Sequence, residues 1–451
     1  MKFNLVLKNV QYLDVKERQF KKGDVAISNG KIANIGINLS GESEKDCSNK
    51  FLVPGFIDGH IHLESSVISP EDFAKIVSTH GTTAVITDPH EIANVCGIDG
   101  IKWMMQKTKN LPIDVFFMVS SCVPATPFDE SAYTIDSKGV EECFNMDNYK
   151  DVVMFVTDDK HPEELYQEGH IDSIIRKAIK LGVAPEDAYT TASYNAAKYF
   201  KLANIGSIEV GKNADLVLLS DEKNCVIEEV YKNGEIIDEE KINNWPSNNV
   251  DNGLDKKVRN SVNMNEVSSK DFECKGIKKK IIGLVPNQIT TIDAGEIDDY
   301  DVKNDIIKIV VIESHKGTMH TGIAYLKSLG LKEGAIGTTV AHDSHYAIIA
   351  GTNDDDIALV ANEIRKMKGG KIVVKNGEVV ESLPLPIANL MTDEPYFEVV
   401  EKMRNLKNVV DISNKDVDPF MNLSFVSLAV IGDIRLLPGG VFDVKGWEFV
   451  E

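Results

Sequence analysis

The sequence predicts an α/β protein that combines a truncated TIM-type barrel with a small β-sandwich domain and a C-terminal α/β domain. Three observations lead to this fold class. Apolar runs alternate with helical segments over residues 53–205, hairpin-forming segments lie on both sides of that region, and a second α/β pattern begins at Lys279. Alternating strands and helices are typical of a parallel sheet or barrel in which each strand is followed by a helix.

The β-sandwich domain is predicted from residues 1–52 and 206–237. Both segments contain short strand-like runs, with Asn29-Gly30 between two runs in the first segment and Asn233-Gly234 in the second. Asn-Gly between apolar runs favours a two-residue hairpin, because both residues tolerate the left-handed conformation of a type I′ turn. We therefore expect the two ends of the barrel region to share one small β domain.

The barrel is predicted over residues 53–205, where four apolar runs end in polar or small residues: VPGFIDGHIHL, GTTAVITDP, IDVFFMVSSCVP and DVVMFVTDD. A closed barrel of eight strands and eight helices needs about 200 residues or more, and this region falls well short of that length. Four parallel strands cannot close into a filled cylinder and leave two sheet edges open. We therefore expect a barrel that lacks strands four to seven.

The remaining chain divides at residue 279. Residues 238–278 are charged, rich in asparagine and without periodic apolar positions, which indicates a linker. Residues 279–451 are predicted to form the C-terminal domain, with a buried strand at IIKIVVIES, a helix from Asn353 to a glycine stop, and a hairpin at KIVVKNGEVV. Asparagine is a favoured residue before the first helical turn, and glycine is favoured after the last.

Composition narrows the class of partner. The chain has 49 Lys and Arg against 70 Asp and Glu, and this net charge of −21 repels a phosphate backbone or an anionic membrane. No apolar stretch approaches the roughly 18 residues of a transmembrane helix, and the first residues do not have the pattern of a signal peptide. We therefore expect a cytoplasmic protein with reduced cysteines, a small-molecule substrate, and neither a nucleic-acid nor a membrane partner.

The strongest indication of a site is PGFIDGHIHLESS at residues 54–66. His60 and His62 are two residues apart, so on a strand both side chains point to the same face. At the carboxyl end of a barrel strand that face opens on the active site, where two imidazoles can bind one metal. Two histidines at this spacing can also be ordinary loop residues, but their place after the first barrel-like strand favours a ligand pair.

Six further strings carry a resemblance to known proteins: HIHLESS, HGTTAVITDPHEIANVCG, SSCVPATPF, VTDDKHPEELYQEGHID, IIGLVPNQI and VAHDSHYAIIAGTND. The opening PGFIDGHIHL is similar to that of the amidohydrolase superfamily, and the six strings resemble the adenine deaminase family within it. The resemblance implies hydrolytic deamination of adenine to hypoxanthine and ammonia in purine salvage, with a pair of divalent metal ions bound in the barrel, manganese foremost and iron or zinc as alternatives. A dihydroorotase-like or amino-sugar deacetylase-like enzyme is disfavoured by the same strings.

The resemblance assigns roles to individual residues. His60 and His62 would be metal ligands on the first strand, and Asp158 of VTDD would both bind the metal and accept a proton from the attacking water. A bound metal lowers the pKa of water to about 7, and a carboxylate within reach can carry the proton to the leaving amine. Asp159 is expected to face away from these ligands.

Other polar residues are weaker candidates for the site. His90 and Glu91 in TDPHE end the second strand and are predicted either to act in the substrate pocket or to fix their own loop. Glu64 joins the catalytic group if the first strand continues to it. A substrate-binding role near the barrel mouth, or a structural turn, is predicted for the compact polar cluster His342, Asp343 and His345. Surface or capping roles are expected for His161 and His170.

The sequence departs from its family between the third strand and VTDD. Adenine deaminases carry a much longer segment there, with a bridging glutamate and two further histidines. Here PFDESAYTIDSKGVEECFNMDNYKDVV joins the two, and it contains no histidine. Its glutamates, Glu130, Glu141 and Glu142, lie in no family motif.

Three consequences of this shortening stay open on the sequence alone. In the first case, the chain is a catalytically inactive deletion remnant that serves, if at all, as a binding or assembly partner. Alternatively, His60, His62, Asp158 and a water form a working site with one metal, since three protein ligands and water suffice for catalytic zinc. In the third case a homo-oligomer repairs the barrel by burying its open edges. The course of residues 128–152 would separate these cases.

Overall fold

The computed structural model of the chain describes residues 2–118, 123, 124, 126, 130, 155–274, 276–414 and 416–450. Glu141 and Glu142 lie outside the described residues, as does the course of residues 128–152 apart from Glu130. The expectations that depend on them stay predictions.

Strands from both ends of the barrel region form one eight-stranded sheet. Its strands are β1 (Phe3–Asp14), β2 (Gln19–Ser28), β3 (Lys31–Gly36), β4 (Gly41–Asp46), β5 (Phe51–Pro54), β9 (Leu216–Asp221), β10 (Val226–Lys232) and β11 (Glu235–Ile236). Their order is β11-β10-β9-β5-β1-β2-β3, with β4 paired to β1. The sequence suggested a sandwich, but β5 pairs with β1 on one side and β9 on the other, so hydrogen bonds join all eight strands.

Both predicted hairpins are present in this sheet. Ser28 pairs with Lys31 across Asn29-Gly30, and Lys232 pairs with Glu235 across Asn233-Gly234. The φ angles are 52° and 74° in the first turn and 49° and 76° in the second. These left-handed pairs are what a type I′ turn requires, and they explain why Asn-Gly identifies both turns from sequence.

The barrel segment contributes three parallel strands, β6 (Phe56–Ile61), β7 (Thr82–Thr87) and β8 (Asp114–Phe117), in the order β6-β7-β8. Residues 155–158 run beside the free edge of β6: Gly59 N donates to Phe155 O at 3.1 Å, and Asp158 N donates to His60 O at 3.1 Å. The last predicted strand therefore lies next to the first, as the ends of a barrel do. Among the described residues, β8 pairs only with β7.

Helices separate or follow these strands. They are α1 (Pro70–Thr79), α2 (His90–Lys107), α3 (Pro162–Glu168), α4 (Ile171–Lys180), α5 (Pro185–Thr190) and α6 (Ala196–Tyr199). Pro185 occupies the first turn of α5, as predicted, because proline needs no hydrogen-bond acceptor there. In the parts of the chain that the structure covers, no helix is both long and apolar enough to cross a bilayer.

Residues 238–278 differ from the expected linker. They contain α7 (Glu239–Asn243) and α8 (Asn252–Val258), and the indole Nε1 of Trp103 donates to Asp255 of α8 at 3.0 Å. Val258 and Phe272 are buried. The apolar residues that anchor this segment are too irregularly spaced to produce a periodic pattern, so its packing could not be predicted from periodicity.

The C-terminal domain is built on a second eight-stranded sheet. Its strands are β12 (Lys279–Leu284), β13 (Thr291–Ile297), β14 (Ile306–Ile312), β15 (Thr321–Lys327), β16 (Ala335–Thr338), β17 (Ala347–Gly351), β18 (Gly370–Lys375) and β19 (Glu378–Pro384). They are ordered β13-β12-β15-β14-β17-β16-β18-β19. The hairpin predicted at KIVVKNGEVV joins β18 to β19.

Three helices and a small sheet complete this domain: α9 (Asp354–Met367), α10 (Tyr396–Val409), α11 (Pro419–Ser424), β20 (Ile434–Leu437), β21 (Gly440–Asp443) and β22 (Glu448–Phe449). The Asn353 side chain accepts a hydrogen bond from Asp356 N, so α9 begins where the sequence predicted. The helix stops just before Gly369.

The C-terminal domain packs directly on the barrel segment. One apolar core contains Phe73 of α1 and Trp103 of α2 together with Ile309 of β14 and Leu423 of α11. Backbone hydrogen bonds tie the same surfaces, since Thr392 N donates to Val67 O at 3.0 Å. This packing brings the loop after β16 against the start of α2, at the edge of the sheet where the barrel strands end.

A buried pair fixes residues 155–158 against β6. Asp58 Oδ2 lies 3.0 Å from His170 Nε2, and both side chains are fully buried. Thr157 donates to the same carboxylate through its hydroxyl at 2.5 Å and its backbone N–H at 3.2 Å. His170 directly precedes the first residue of α4, which agrees with the predicted capping position. Its side chain is buried, so the alternative of a surface role is wrong.

Asp172 anchors the first turn of α4 and provides a test of stability against pH. Its carboxylate accepts from His170 N at 2.6 Å and from Arg176 at 2.7 Å. Burial raises the pKa of Asp172, but the bond from His80 and the charge of Arg176 outweigh it and leave the pKa below its usual 3.8. A lowered folded-state pKa means that this stabilisation is complete above about pH 4 and is lost as the pH falls further.

Asp172→Asn is therefore expected to lower the free energy of unfolding by about 1.5–3 kcal/mol at pH 7, the range for hydrogen bonds to charged groups. Urea unfolding at pH 7 and pH 3.5 measures the effect, and the difference from wild type should shrink at the lower pH. Asp187→Asn, at a more exposed carboxylate paired with Arg18, is the control. A difference that stays constant between the two pH values would contradict this origin.

Candidate active site

Three predicted ligands meet at the end of β6. His60 Nε2 and His62 Nε2 lie 3.2 Å apart, and each lies 3.3 Å from Asp158 Oδ1. Donors about 2.0–2.2 Å from a tetrahedral metal are separated by about 3.4 Å, so the triangle has the size of one face of such a coordination shell. His60, His62 and Asp158, named here the ligand triad, fit a divalent cation.

The backbone and a neighbouring carbonyl orient the triad. His60 lies in β6 and His62 directly follows it, so the two-residue spacing puts both imidazoles on one face, as predicted. His62 Nδ1 lies 2.9 Å from the carbonyl oxygen of Asp88, which assigns the ring proton to Nδ1 and leaves Nε2 to bind a cation. A second hydrogen bond of this kind is usual for metal-binding histidines.

Asp158 takes an uncommon backbone conformation. Its φ of 59° lies in the left-handed region, which non-glycine residues enter rarely and often at functional sites. The turn directs Asp158 toward His60 and His62, and the carboxylate of the next residue, Asp159, toward the C-terminal domain. The expectation that Asp159 faces away from the triad agrees with this geometry.

The protons on the triad compete with a cation. Hydrogen bonds from His60 and His62 hold the pKa of Asp158 well below its usual range. Burial lowers the pKa of His62, but its bond to Asp158 and the nearby acidic groups outweigh burial and raise the pKa to about 10. Metal binding requires neutral imidazoles and therefore releases such protons.

Glu91 joins the barrel segment to the C-terminal domain. The carboxylate lies at the start of α2 and is buried, and its two oxygens accept from His342 Nδ1 at 2.5 Å and from His345 Nε2. We name Glu91, His342 and His345 the Glu91 clamp. Burial raises the pKa of Glu91, but the imidazoles of His342, His345 and His90 hold it well below its usual range.

The predicted histidines near the clamp lie close together. His90 Nε2 is 3.4 Å from Asp343 Oδ1, and the rings of His90 and His62 are 4.5 Å apart. His90, Glu91, His342, Asp343 and His345 therefore surround one region beside the ligand triad. The prediction that the 342–345 cluster approaches the barrel mouth agrees with this arrangement.

Glu64 differs from its expected position. The strand ends at Ile61, and Glu64 lies in a 3₁₀ turn, Leu63–Ser66, fully buried and off the His60/His62 face. Its Oε1 accepts from Ile92 N in the first turn of α2 at 3.0 Å, and burial raises its pKa to about 7. This contact makes Glu64 a support for the helix that carries Glu91, since the chain turns before a strand could direct it to the triad.

Sequence reasoning missed several residues that shape the site. Asp88 contacts His62, Asp58 and His170 hold the strand of Asp158, and Phe425 stacks on His342 with ring centroids 4.6 Å apart. Asp88 stands in TDPHE, so the motif that identified His90 could have included it. Phe425 had no local signal, because it reaches the site only through domain packing.

Comparison with known families agrees with this geometry. Residues 51–145 and 126–237 match the amidohydrolase family, and residues 287–448 match the adenine deaminase C-terminal domain. A triad of candidate metal ligands at the carboxyl end of parallel strands, in a chain that matches these two families, defines the protein as a member of the amidohydrolases.

Relatives narrow the class further. The chain is 34% identical to an adenine deaminase of Clostridium acetobutylicum, over 99% of this chain and 97% of the relative, and 33% identical to one of Halalkalibacterium halodurans, over 100% and 96%. The chain belongs to the adenine deaminase family. A crystal structure of an adenine deaminase aligns with 52% of this chain and 100% of its own at 15% identity, with a TM-score of 0.36, which is too low to bear on the fold.

The alignment with the Clostridium protein is longer than this chain. It runs over 558 positions, whereas this chain has 451 residues, so at least 107 positions face a gap in this chain. The amidohydrolase match is divided into two pieces that meet within residues 126–145. The alignment therefore contains a stretch of the relative that this chain lacks, and the amidohydrolase match is interrupted within residues 126–145.

Proposed function

We propose that this chain deaminates adenine hydrolytically to hypoxanthine and ammonia, using a divalent metal held by His60, His62 and Asp158. The observation that carries the proposal is the intact ligand triad in a chain similar to adenine deaminases over its whole length. An inactive remnant is not favoured, because the similarity covers both family domains and the three donor atoms keep the spacing of a coordination shell.

The metal, when bound, supplies a Lewis acid that lowers the pKa of a coordinated water to about 7. Asp158 is the proposed proton acceptor, because Oδ1 faces the histidines while Oδ2 makes no hydrogen bond with a described residue. Its side chain is 62% exposed, so substrate and solvent can reach it. Glu64 is proposed to act only through α2, and His90 and Glu91 to shape the substrate side of the site.

Manganese is the proposed metal, with iron and zinc as alternatives. Two imidazoles suit iron and zinc, whereas carboxylates also suit manganese, so the donor set admits all three. The negative charges of Glu91 and Asp159 act on His62 and would also favour a divalent cation beside it. His342, Asp343 and His345 are proposed to lie on the substrate side of this centre.

The barrel is proposed to lack strands four to seven. The gap of at least 107 positions supports this, as does the direct pairing of residues 155–158 with β6. A homo-oligomer that covers the open edge of β8 and a cytoplasmic location stay predictions from the sequence.

The test is turnover by metal-loaded protein. The purified chain is stripped with a chelator, reloaded with Mn²⁺, Fe²⁺ or Zn²⁺, and assayed for ammonia and hypoxanthine formed from adenine. Turnover that requires the metal and disappears in the His60→Gln, His62→Gln double variant supports the proposal. A folded chain that binds no metal and releases no ammonia under all three conditions would overturn it.

A further inference from the structure

We propose that the buried pair of Asp58 and His170 is a positioning device that sets the orientation of Asp158 for metal binding and proton transfer. The inference rests on the function proposed above and extends it to residues that cannot touch substrate, because both side chains of the pair are fully buried. Asp58 and His170 therefore act only through the backbone and side chains that they hold.

The Asp58 carboxylate joins the two chain segments that carry the ligand triad. Its Oδ1 accepts from the backbone N–H of His60 at 3.1 Å and from that of Thr157 at 3.2 Å, and its Oδ2 accepts from the Thr157 hydroxyl at 2.5 Å. Thr157 lies 99 residues after Asp58 and directly precedes Asp158. One buried carboxylate therefore fixes the backbone at one ligand of the triad and next to another.

The turn at Asp158 needs such an attachment. Its φ of 59° is unfavourable for a residue with a side chain and persists only where the surrounding contacts impose it. Both the backbone N–H and the hydroxyl of Thr157, the residue directly before the turn, donate to Asp58. The same attachment keeps Asp158 Oδ1 at 3.3 Å from the Nε2 atoms of His60 and His62.

His170 holds the Asp58 carboxylate in place. Its Nε2 donates to Asp58 Oδ2 at 3.0 Å, and its Nδ1 lies 2.8 Å from the hydroxyl of Thr82 in β7. The imidazole also packs edge-on against Phe73 of α1, with ring centroids 5.7 Å apart. Removing one member of such a pair leaves a buried charge uncompensated, which is strongly unfavourable. His170 therefore anchors Asp58, and through Asp58 the segment that carries Asp158.

Thr157 provides the sharpest test, because its hydroxyl can be removed with little change in shape. Thr157→Val is expected to weaken Mn²⁺ binding to the stripped chain by about 10–100-fold, the usual effect of removing a group that orients a metal ligand. Thr157→Ser keeps the hydroxyl that donates to Asp58 and should bind Mn²⁺ as wild type does. His170→Gln, whose amide N–H₂ can still donate to Asp58, should lose less affinity than His170→Ala. Thr190→Val is the matched control, because it removes a buried hydroxyl that donates to Glu186 O within α5.

Turnover and stability separate positioning from a general loss of structure. Urea unfolding should change by similar amounts in Thr157→Val and Thr190→Val, whereas only Thr157→Val should lose Mn²⁺ affinity in calorimetric titration. Metal-saturated Thr157→Val should also have a lower kcat with an unchanged KM for adenine, because Asp158 is the proposed proton acceptor and Asp58 lies away from substrate.

Wild-type Mn²⁺ affinity in Thr157→Val would overturn the inference, as would an equal loss of affinity in Thr157→Ser or Thr190→Val. Wild-type turnover would leave the proposed function intact in each of these cases. A wild-type chain that binds no Mn²⁺ and forms no hypoxanthine would instead overturn the proposed function, and the positioning role with it.

Discussion

Replacing His62 with glutamine is expected to lower kcat/KM for adenine by about 10³-fold or more. The His62 side chain is 8% exposed. Its Nδ1 faces Asp88 O, and its Nε2 faces His60 and Asp158, the other two members of the ligand triad. Glutamine cannot hold a cation while also making the Asp88 contact. A catalytic metal contributes several kcal/mol of transition-state stabilisation, and each 1.4 kcal/mol or so is a factor of ten in rate.

The measurement is steady-state deamination of adenine by metal-loaded protein, with the metal content of each sample determined in parallel. His320→Gln serves as the control, because that imidazole is 62% exposed and its ion-pair partner is Glu130, not a member of the triad. Its kcat/KM should stay within about twofold of wild type, since exposed substitutions rarely matter. Wild-type turnover in His62→Gln would show that the triad is not the catalytic metal site.

Replacing Glu91 with alanine is expected to destabilise the protein by about 3–5 kcal/mol, the usual cost of removing one partner from a buried ion pair. Two buried imidazoles lose their acceptor together, since each Glu91 oxygen accepts from one of them. Glu91→Gln should cost less, because its carbonyl can accept from one histidine while its amide N–H₂ opposes the other. Both variants are also expected to lower kcat, because the clamp positions His342 and the start of α2.

Urea unfolding measures these losses, and Asp99→Asn is the matched control on the same helix. Asp99 lies near the surface and pairs with Lys257, so its replacement should change stability by no more than about 0.5 kcal/mol. If Glu91→Ala unfolded at the same urea concentration as wild type, the Glu91 clamp would not contribute to the stability of the protein. The Gln and Ala variants together separate loss of charge from loss of the whole acceptor.

Local chemistry made several elements predictable. The Asn-Gly turns, the Asn353 start of α9 and the Pro185 start of α5 each depend on the conformational preference of residues that are neighbours in sequence. The same holds for His60 and His62, whose common face follows from the two-residue period of a strand. The two-residue period did not extend to Glu64, because the strand ends at Ile61 and the position of that end depends on the packing of the following turn.

Partners distant in sequence were not predictable in this way. Glu91 and His342 are 251 residues apart, and their contact exists only because the C-terminal domain packs on α1 and α2. His170 was expected at the surface or in a cap, and its pairing with buried Asp58 depends on residues 155–158 lying beside β6. Residues 238–278 likewise pack through scattered apolar side chains that form no periodic pattern.

The sequence by itself therefore determined the family, the hairpins and the His60/His62 pair, because those features are encoded in contiguous motifs. Asp158 was predicted only through its resemblance to the family motif. Only the tertiary structure decided that Asp159 turns toward His342 and that Glu91 is shared by two histidines of another domain. The physical reason is that burial and hydrogen bonding depend on which surfaces meet. A one-dimensional pattern specifies the residues of each surface but not the partner that covers it.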